Sequence, residues 1–165
     1  MPSFDEDQLC NIFAEKVRAS QPFLKWLLGR TKFASVASDS RLLWEEQKRR
    51  PAKAWWRHWW CNVKAVGRQS ETDIFLAFAE GRKGMRFALH IENKVRSAFA
   101  AFQPEDYAAR ADQMRSNKWV PYSQFTTMLM APAQFCNENS ERCAIFDTII
   151  PHEEIAAHIP QFHPS

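Results

Sequence analysis

The feature that most constrains this 165-residue chain is a pair of apolar runs, "TDIFLAF" (72–78) and "MRFALHIENK" (85–94), separated only by "AEGRKG". Both are rich in strand formers, and the intervening Gly81 and Gly84 supply a turn, so the two runs predict an antiparallel hairpin. The polar residues are confined to the ends. Asp73 stands where the first strand begins, and Glu92 and Lys94 stand where the second closes. Strand side chains alternate between faces, so Glu92 and Lys94 share one face while Phe87, Leu89, Ile91 and Asn93 share the other. The beginning of one antiparallel strand lies beside the end of the next, which brings Asp73 to Glu92.

The rest of the chain supplies cover for such a hairpin. Leu9, Ile12, Phe13, Val17, Phe23, Leu24, Leu27 and Leu28 recur at helical spacing and predict one or two opening helices, with Pro22 marking a break or a new first turn. Residues 30–40 read as a loop, and Asp39 or Ser40 as the cap of a helix from Arg41 that Pro51 stops. "WWRHWWCNVKAV" (55–66) reads as ending in a strand, and "GRQS" (67–70) as punctuation after it. "QPEDYAARADQMRS" (103–116) predicts a helix with Pro104 in its first turn. "FTTMLMAPAQF" (125–135) predicts a buried strand closed by Pro132. "RCAIFDTII" (142–150) predicts a last strand and "PHEEIAAHI" (151–159) a last helix. The order of helix, three strands, helix, strand, strand, helix implies one α/β domain, a mixed sheet flanked by helices.

Composition narrows the class of function. Apolar residues make up 45% and charged residues 25%, as in ordinary folded soluble proteins. No run of about 18 apolar residues occurs, and the acidic start "MPSFDEDQLC" is unlike a secretory signal, so the expected home is the cytoplasm, with no membrane partner. Cys10, Cys61, Cys136 and Cys143 form no CxxC pair and are expected to be buried free thiols; a turn over "NENSER" would be needed to bring Cys136 and Cys143 together. The net charge of +3 permits a polyanionic partner without demanding one. The basic residues cluster in "QKRRPAKAWWRHWW" (47–60), which holds Arg49, Arg50, Lys53 and Arg57 and no acid, and around Arg82, Lys83 and Arg86. These are candidate phosphate-binding surfaces, although a charge run is more often a solvated face. Trp55, Trp56, Trp59 and Trp60 beside Arg57 and Lys53 could stack unpaired bases, against the commoner fate of tryptophan as core.

Two carboxylates converging at a strand end with a lysine one side chain away suit a hard divalent ion. Mg²⁺ prefers oxygen ligands and commonly takes one or two carboxylates from the protein. The alternative is a cross-strand ion pair. Glu-x-Lys is a weak signal alone, since Glu46-Gln47-Lys48 repeats it on an expected helix. His90 shares the face of Glu92, and the competing reading is a satisfied core histidine.

An acid opening one strand, Glu-x-Lys closing the next, and Gln103-x-x-x-Tyr107 on the following helix together resemble the PD-(D/E)XK nuclease superfamily, and Gln-x-x-x-Tyr resembles the element of its RecB-like branch. The match is carried by residues 71–107, and the order of elements extends it along most of the chain. Thr72 stands in place of the proline in the family's name. The resemblance implies a restriction-endonuclease-like core, in the order αβββαβ plus a C-terminal strand and helix. It implies Asp73 and Glu92 as metal ligands, joined by the backbone carbonyl of Asn93 and an opening-helix acid, for which Glu15 is the candidate. It implies Lys94 as the catalytic lysine, and Gln103 and Tyr107 as residues bordering the active site, with Arg110 on the same helix face towards the nucleic-acid backbone. Glu71 competes with Asp73 as the ligand; Asp73 is favoured because it borders the apolar run.

The function expected on this resemblance is a Mg²⁺-dependent nuclease, with Mn²⁺ as a substitute, hydrolysing phosphodiester bonds in DNA in preference to RNA, with target choice coming from loops, from the basic 47–60 segment, from a homodimer or from a partner protein. The rivals are a non-catalytic nucleic-acid- or protein-binding module on the same fold, and a metal-free hydrolase with paired carboxylates. Lys94 counts against the latter, because a nearby ammonium is expected to keep both carboxylates ionised.

Overall fold

Asp5 starts the first helix by a reciprocal cap, its carboxylate accepting from the Gln8 amide at 2.8 Å while the Gln8 side chain accepts from the Asp5 amide at 2.9 Å. This end belongs to a computed structural model that describes residues 3–81 and 84–164. Helix α1 (Glu6–Ala19) ends at Ser20, whose hydroxyl then accepts from the Phe23 amide at 3.2 Å and caps α2 (Gln21–Gly29). The opening segment is therefore two helices, with Pro22 in the first turn of the second, where its missing N–H costs nothing.

The expected helix from Arg41 is shorter and is preceded by a strand. A 3₁₀ turn (Ala34–Asp39) leads into β1 (Ser40–Leu42), and α3 spans only Trp44–Lys48. The reason lies in the neighbouring strand β4 (Ile74–Glu80), whose outer edge needs partners for its backbone. Ser40 to Leu42 pair antiparallel with Glu80 to Phe78. Farther along that edge the buried side chain of Gln47 takes over, donating to the Phe75 carbonyl at 2.9 Å and accepting from the Ala77 amide at 2.8 Å.

The five-stranded sheet runs β1-β4-β5-β6-β7, where β5 is Arg86–Asn93, β6 is Gln124–Ala131 and β7 is Thr148–Pro151. β1, β4 and β5 pair antiparallel, and β5, β6 and β7 pair parallel, so the sheet is mixed. The hairpin forms as expected, with Leu76 opposite Leu89. Arg82 and Lys83 in its turn lie outside the described residues. The parallel step from β5 to β6 is made through α4 (Gln103–Gln113), as parallel strands require a crossover.

Both faces of the sheet are covered, so β4 is buried at every position. Ile74, Leu76, Phe78, Phe87, Leu89 and Ile91 pack against α1 and α2. Phe75, Ala77 and Ala88 face the other way, against Trp59, Met114 and Tyr122. Among the described residues no helix is long and apolar enough to cross a membrane.

Two expectations are corrected. "GRQS" does not merely punctuate: Arg68–Thr72 forms β3, which pairs with β2 (Trp59–Val63) as a separate two-stranded ribbon, turned by Gly67 at φ +67°. The "RCAIFDTII" stretch is strand only at its end; before it the chain makes two short helices, α5 (Ala133–Glu138) and α6 (Ser140–Cys143). β7 is an edge strand, so its length is set by its pairing with β6, which runs from Met128 to Ala131. The last helix, α7, covers His152–Ile155.

Candidate active site

The register of the hairpin places Ile74 opposite Ile91, so the next residue back, Asp73, meets the end of β5. Asp73 sits in the bend between β3 and β4 and does not open β4 itself. Its Oδ2 accepts from the Asn93 amide at 3.0 Å, tying the bend to the strand end.

Glu92 is fully buried and gathers three side chains. Its Oε1 accepts from Lys94 Nζ at 3.1 Å and from Gln103 Nε2 at 2.6 Å, and its Oε2 accepts from the Tyr107 hydroxyl. Gln103 and Tyr107 are four apart on α4 and so project from one helix face. Gln103 is held in turn, accepting from the Ala100 amide at 2.9 Å. Lys94 Nζ also donates to the Ala98 carbonyl at 3.3 Å and lies 5.6 Å from the centre of the Phe99 ring. The five residues Asp73, Glu92, Lys94, Gln103 and Tyr107 thus form one cluster.

Burial dominates the electrostatics here. Burial and then the neighbouring Asp73 push Glu92 up to about 8, with Lys94 and the Tyr107 hydrogen bond opposing both. Burial also raises Asp73, against the Asn93 amide, Lys94 and a hydrogen bond with Glu92. The expectation that Lys94 would keep both carboxylates ionised is therefore corrected for Glu92, where desolvation outweighs one ammonium.

The opening helix contributes a different acid from the one expected. Glu15 is bonded to Arg18 Nε at 2.8 Å and to the Trp55 indole at 2.8 Å, and does not reach the carboxylates. Glu6 does face Asp73 across a cleft of about 470 Å³ that Glu92 itself does not line, and there burial and then Asp73 push its carboxyl up to about 7. Spacing held the signal. Glu6 continues the buried stripe Cys10, Phe13, Val17 by one more turn, whereas Glu15 lies off that stripe. Cys10 lines the cleft beside Asp73, its Sγ accepting from Asn93 Nδ2 at 3.5 Å, while Asn93 Oδ1 meets His152 Nε2 at 2.8 Å. The Asn93 side chain is thereby fixed on the sheet face opposite Glu92.

Glu71, the rival to Asp73, lies on the exposed side of β3 and pairs with His58 at 2.9 Å, although it also lines the cleft. His90 is a core residue. Tyr122 donates to the Ala111 carbonyl at 2.6 Å and so accepts from His90 Nε2, at 2.8 Å; His90 Nδ1 then accepts from the Thr72 hydroxyl at 2.9 Å.

The basic residues divide. Arg57 lines the cleft and pairs with Asp7 at 2.8 Å. Arg68, which the sequence did not single out, lines it too and grips Asp106 through two bonds of 2.7 and 2.6 Å. Arg49 and Lys53 are exposed outside it. Arg50 is half-buried, donating to the carbonyls of His58 and Arg57. Arg110, expected at the nucleic-acid backbone, is fully buried, with Nε donating to the Thr72 hydroxyl at 2.7 Å and the guanidinium 3.9 Å from the centre of the Tyr107 ring. It joins α4 to β3 and presents no charge to solvent. Trp55, Trp56 and Trp59 also turn inward, their indoles donating to Glu15, to Asn11 at 3.1 Å and to the Trp55 carbonyl at 3.1 Å.

Among the described residues no three His, Cys, Asp or Glu side chains converge as a ready-made ion site. The donors of Asp73 and Glu92 nevertheless fit a hard divalent cation. Both are carboxylate oxygens, burial raises both carboxyls, and a doubly charged ion would supply the compensation that one lysine does not. No family model, curated protein or solved structure matches the chain.

Proposed function

We propose that this protein is a Mg²⁺-dependent nuclease of the PD-(D/E)XK type, acting on DNA. The observation that supports the reading is the buried Glu92 carboxylate, held by Lys94, Gln103 and Tyr107 beside Asp73 at the end of a sheet strand. A restriction-endonuclease-like core is part of the same proposal, supported by the central antiparallel hairpin followed by a parallel strand through α4.

Asp73 and Glu92 would hold the ion, with the Asn93 carbonyl and Glu6 as further oxygen donors. Mg²⁺ bound there would supply Lewis acidity at a phosphate oxygen and lower the pKa of a bound water. The chain's own residues supply position. Gln103 and Tyr107 each fix one oxygen of Glu92, which limits its rotamer before substrate arrives. Lys94 is held where its ammonium can orient an attacking water and offset charge building on the phosphate. Arg57 and Arg68, which line the cleft, are paired with Asp7 and Asp106 and would have to exchange those partners to meet a phosphate backbone.

The test is cleavage of plasmid, linear duplex, single-stranded DNA and RNA in Mg²⁺, Mn²⁺ or EDTA, with wild type beside Asp73→Ala and Lys94→Ala. Metal-dependent cutting lost in both variants is expected; uncut substrates under every condition would overturn the proposal. The raised Glu92 carboxyl favours one second reading, a metal-independent hydrolase using Glu92 as general acid. Hydrolysis that persists in EDTA would select it.

A further inference from the structure

A second groove, of about 310 Å³, opens beside the β2–β3 ribbon and is lined by Arg50, His58, Trp60, Lys118 and Trp119 among others. Among the described residues lining it, none is acidic. Trp60 is 49% exposed, although the ladder of β2 fixes its backbone opposite Glu71. Trp119 is half-buried on a rigid corner, its amide donating to Asn117 Oδ1 at 3.0 Å, while the Asn117 side chain bonds the Met114 and Val120 carbonyls at 2.8 Å each. Lys118 Nζ stands 4.9 Å from the centre of the Trp119 ring, and the Arg50 guanidinium stands 4.0 Å from that of Trp59. Aromatic surface and positive charge are therefore interleaved in one groove.

The groove adjoins the candidate active site through one residue. His58 lines both. It has a positive φ of 60°, uncommon for a residue with a Cβ, and its imidazole meets Glu71 at 2.9 Å. That contact occupies the one acid of the ribbon that lies opposite Trp60, so a phosphate passing from groove to cleft meets a paired carboxylate. An occupant that reaches both places has a flat, polarisable part for the indoles and a negative charge beside it.

We propose that this groove stacks an unpaired nucleobase of the strand being cleaved, which makes the substrate class single-stranded DNA, or a strand with an unpaired flank. The proposal rests on the nuclease reading of the neighbouring cleft for its phosphate. Base faces inside a duplex are already stacked on one another, whereas an unpaired base offers its π-face to an indole whatever its identity. Lys118 suits an adjacent phosphate, Arg50 adds positive potential although its guanidinium is held by the His58 and Arg57 carbonyls, and the absence of acids among the described lining residues removes the repulsion that a phosphate would meet.

The experiment is fluorescence anisotropy of a labelled single strand, the same strand carrying abasic sites, and the matched duplex, all in EDTA on the full chain, with Trp60→Ala, Trp119→Leu and Lys118→Gln. Trp60 is exposed enough that its truncation leaves the core intact, and Trp119→Leu keeps apolar packing where Trp119 is half-buried; near-ultraviolet circular dichroism checks both. Loss of one stacked base is expected to weaken single-strand binding about 5- to 150-fold, with duplex binding unchanged and the abasic strand already weak. Equal affinity of wild type and both Trp variants for the single strand overturns the proposal, as does an equal loss for strand and duplex. Self-association lost in Trp60→Ala, without strand binding, overturns it in favour of a protein interface. Tryptophan-dependent strand binding with no cutting in Mg²⁺ or Mn²⁺ upholds the groove while the nuclease reading fails. Cutting that requires Asp73 and Lys94 but ignores both tryptophans does the reverse.

Discussion

The phenol of Tyr107 donates to Oε2 of Glu92, so a helix residue sets the orientation of a strand-end carboxylate 15 positions earlier in the chain. Gln103, one turn before Tyr107, bonds the other oxygen of the same carboxylate. Partners that orient a metal ligand typically carry a 10- to 100-fold share of metal affinity or activity. Tyr107→Phe and Gln103→Ala are each expected to lower cleavage by about that factor and to raise the Mg²⁺ concentration for half-maximal rate. A Mg²⁺ titration of cleavage rate checks this, and unchanged curves in both variants would show that the two bonds are only structural.

Glu6 and Glu15 sit on the same helix but have different neighbours. Glu6→Gln is expected to weaken the response to Mg²⁺, because Glu6 faces Asp73 across the cleft. Glu15→Gln is expected to leave that response unchanged, since Glu15 serves Arg18 and Trp55. Thermal melts with and without Mg²⁺ distinguish the two, with the metal contribution of the wild type reaching about 2.7 kcal/mol at a hundredfold excess over Kd.

The carboxylates also make stability depend on pH. Glu92, near 8, and Glu6, near 7, both lie above their unfolded value of 4.5, so the native state binds extra protons between these limits. Stability without metal therefore falls as pH rises towards about 8, and a bound cation, which replaces the protons, stabilises more at the upper end. His152 acts in the opposite sense. Burial holds it near 4, so stability is lost as pH falls from 6.5 towards 4, and His90, also depressed, adds to that loss. The window between about 6.5 and about 8 isolates the carboxylates. Melts across it should show a decline with pH that Mg²⁺ reverses and Asp73→Asn flattens; a flat wild-type profile would rule out the raised Glu92 value.

Gln47 bonds both a donor and an acceptor on the edge of β4, at 2.8 and 2.9 Å, and is fully buried. Gln47→Leu has similar volume but leaves the Ala77 amide and the Phe75 carbonyl without those partners. Each unsatisfied buried group costs about 1–3 kcal/mol, so a loss of about 2–6 kcal/mol is expected by urea unfolding. A loss below about 0.5 kcal/mol would mean that water or a shifted strand replaces both bonds.

The hairpin and the meeting of Asp73 with Glu92 were legible in the sequence because both follow from local rules: strand alternation, a glycine turn and antiparallel pairing. The face shared by Gln103 and Tyr107 followed likewise from helical spacing. The fate of Arg110, Glu15 and the tryptophans at 55, 56 and 59 was not legible, because helical or strand spacing assigns a residue to a face without saying what covers that face. Only the packing of α4 on β3 buried Arg110, and only the placement of α1 turned Glu6 towards Asp73. The pKa order was likewise a tertiary result. Along the chain Lys94 is the near neighbour of Glu92 and predicts an ionised carboxylate; in the fold, removal of water from the strand end by the elements on both sheet faces outweighs that single charge. The sequence by itself determined which residues could carry the chemistry and the pairing that joins them. The tertiary structure decided which of them are buried together at the strand end and which line the cleft beside it, because burial depends on every element that packs there and not on any one segment.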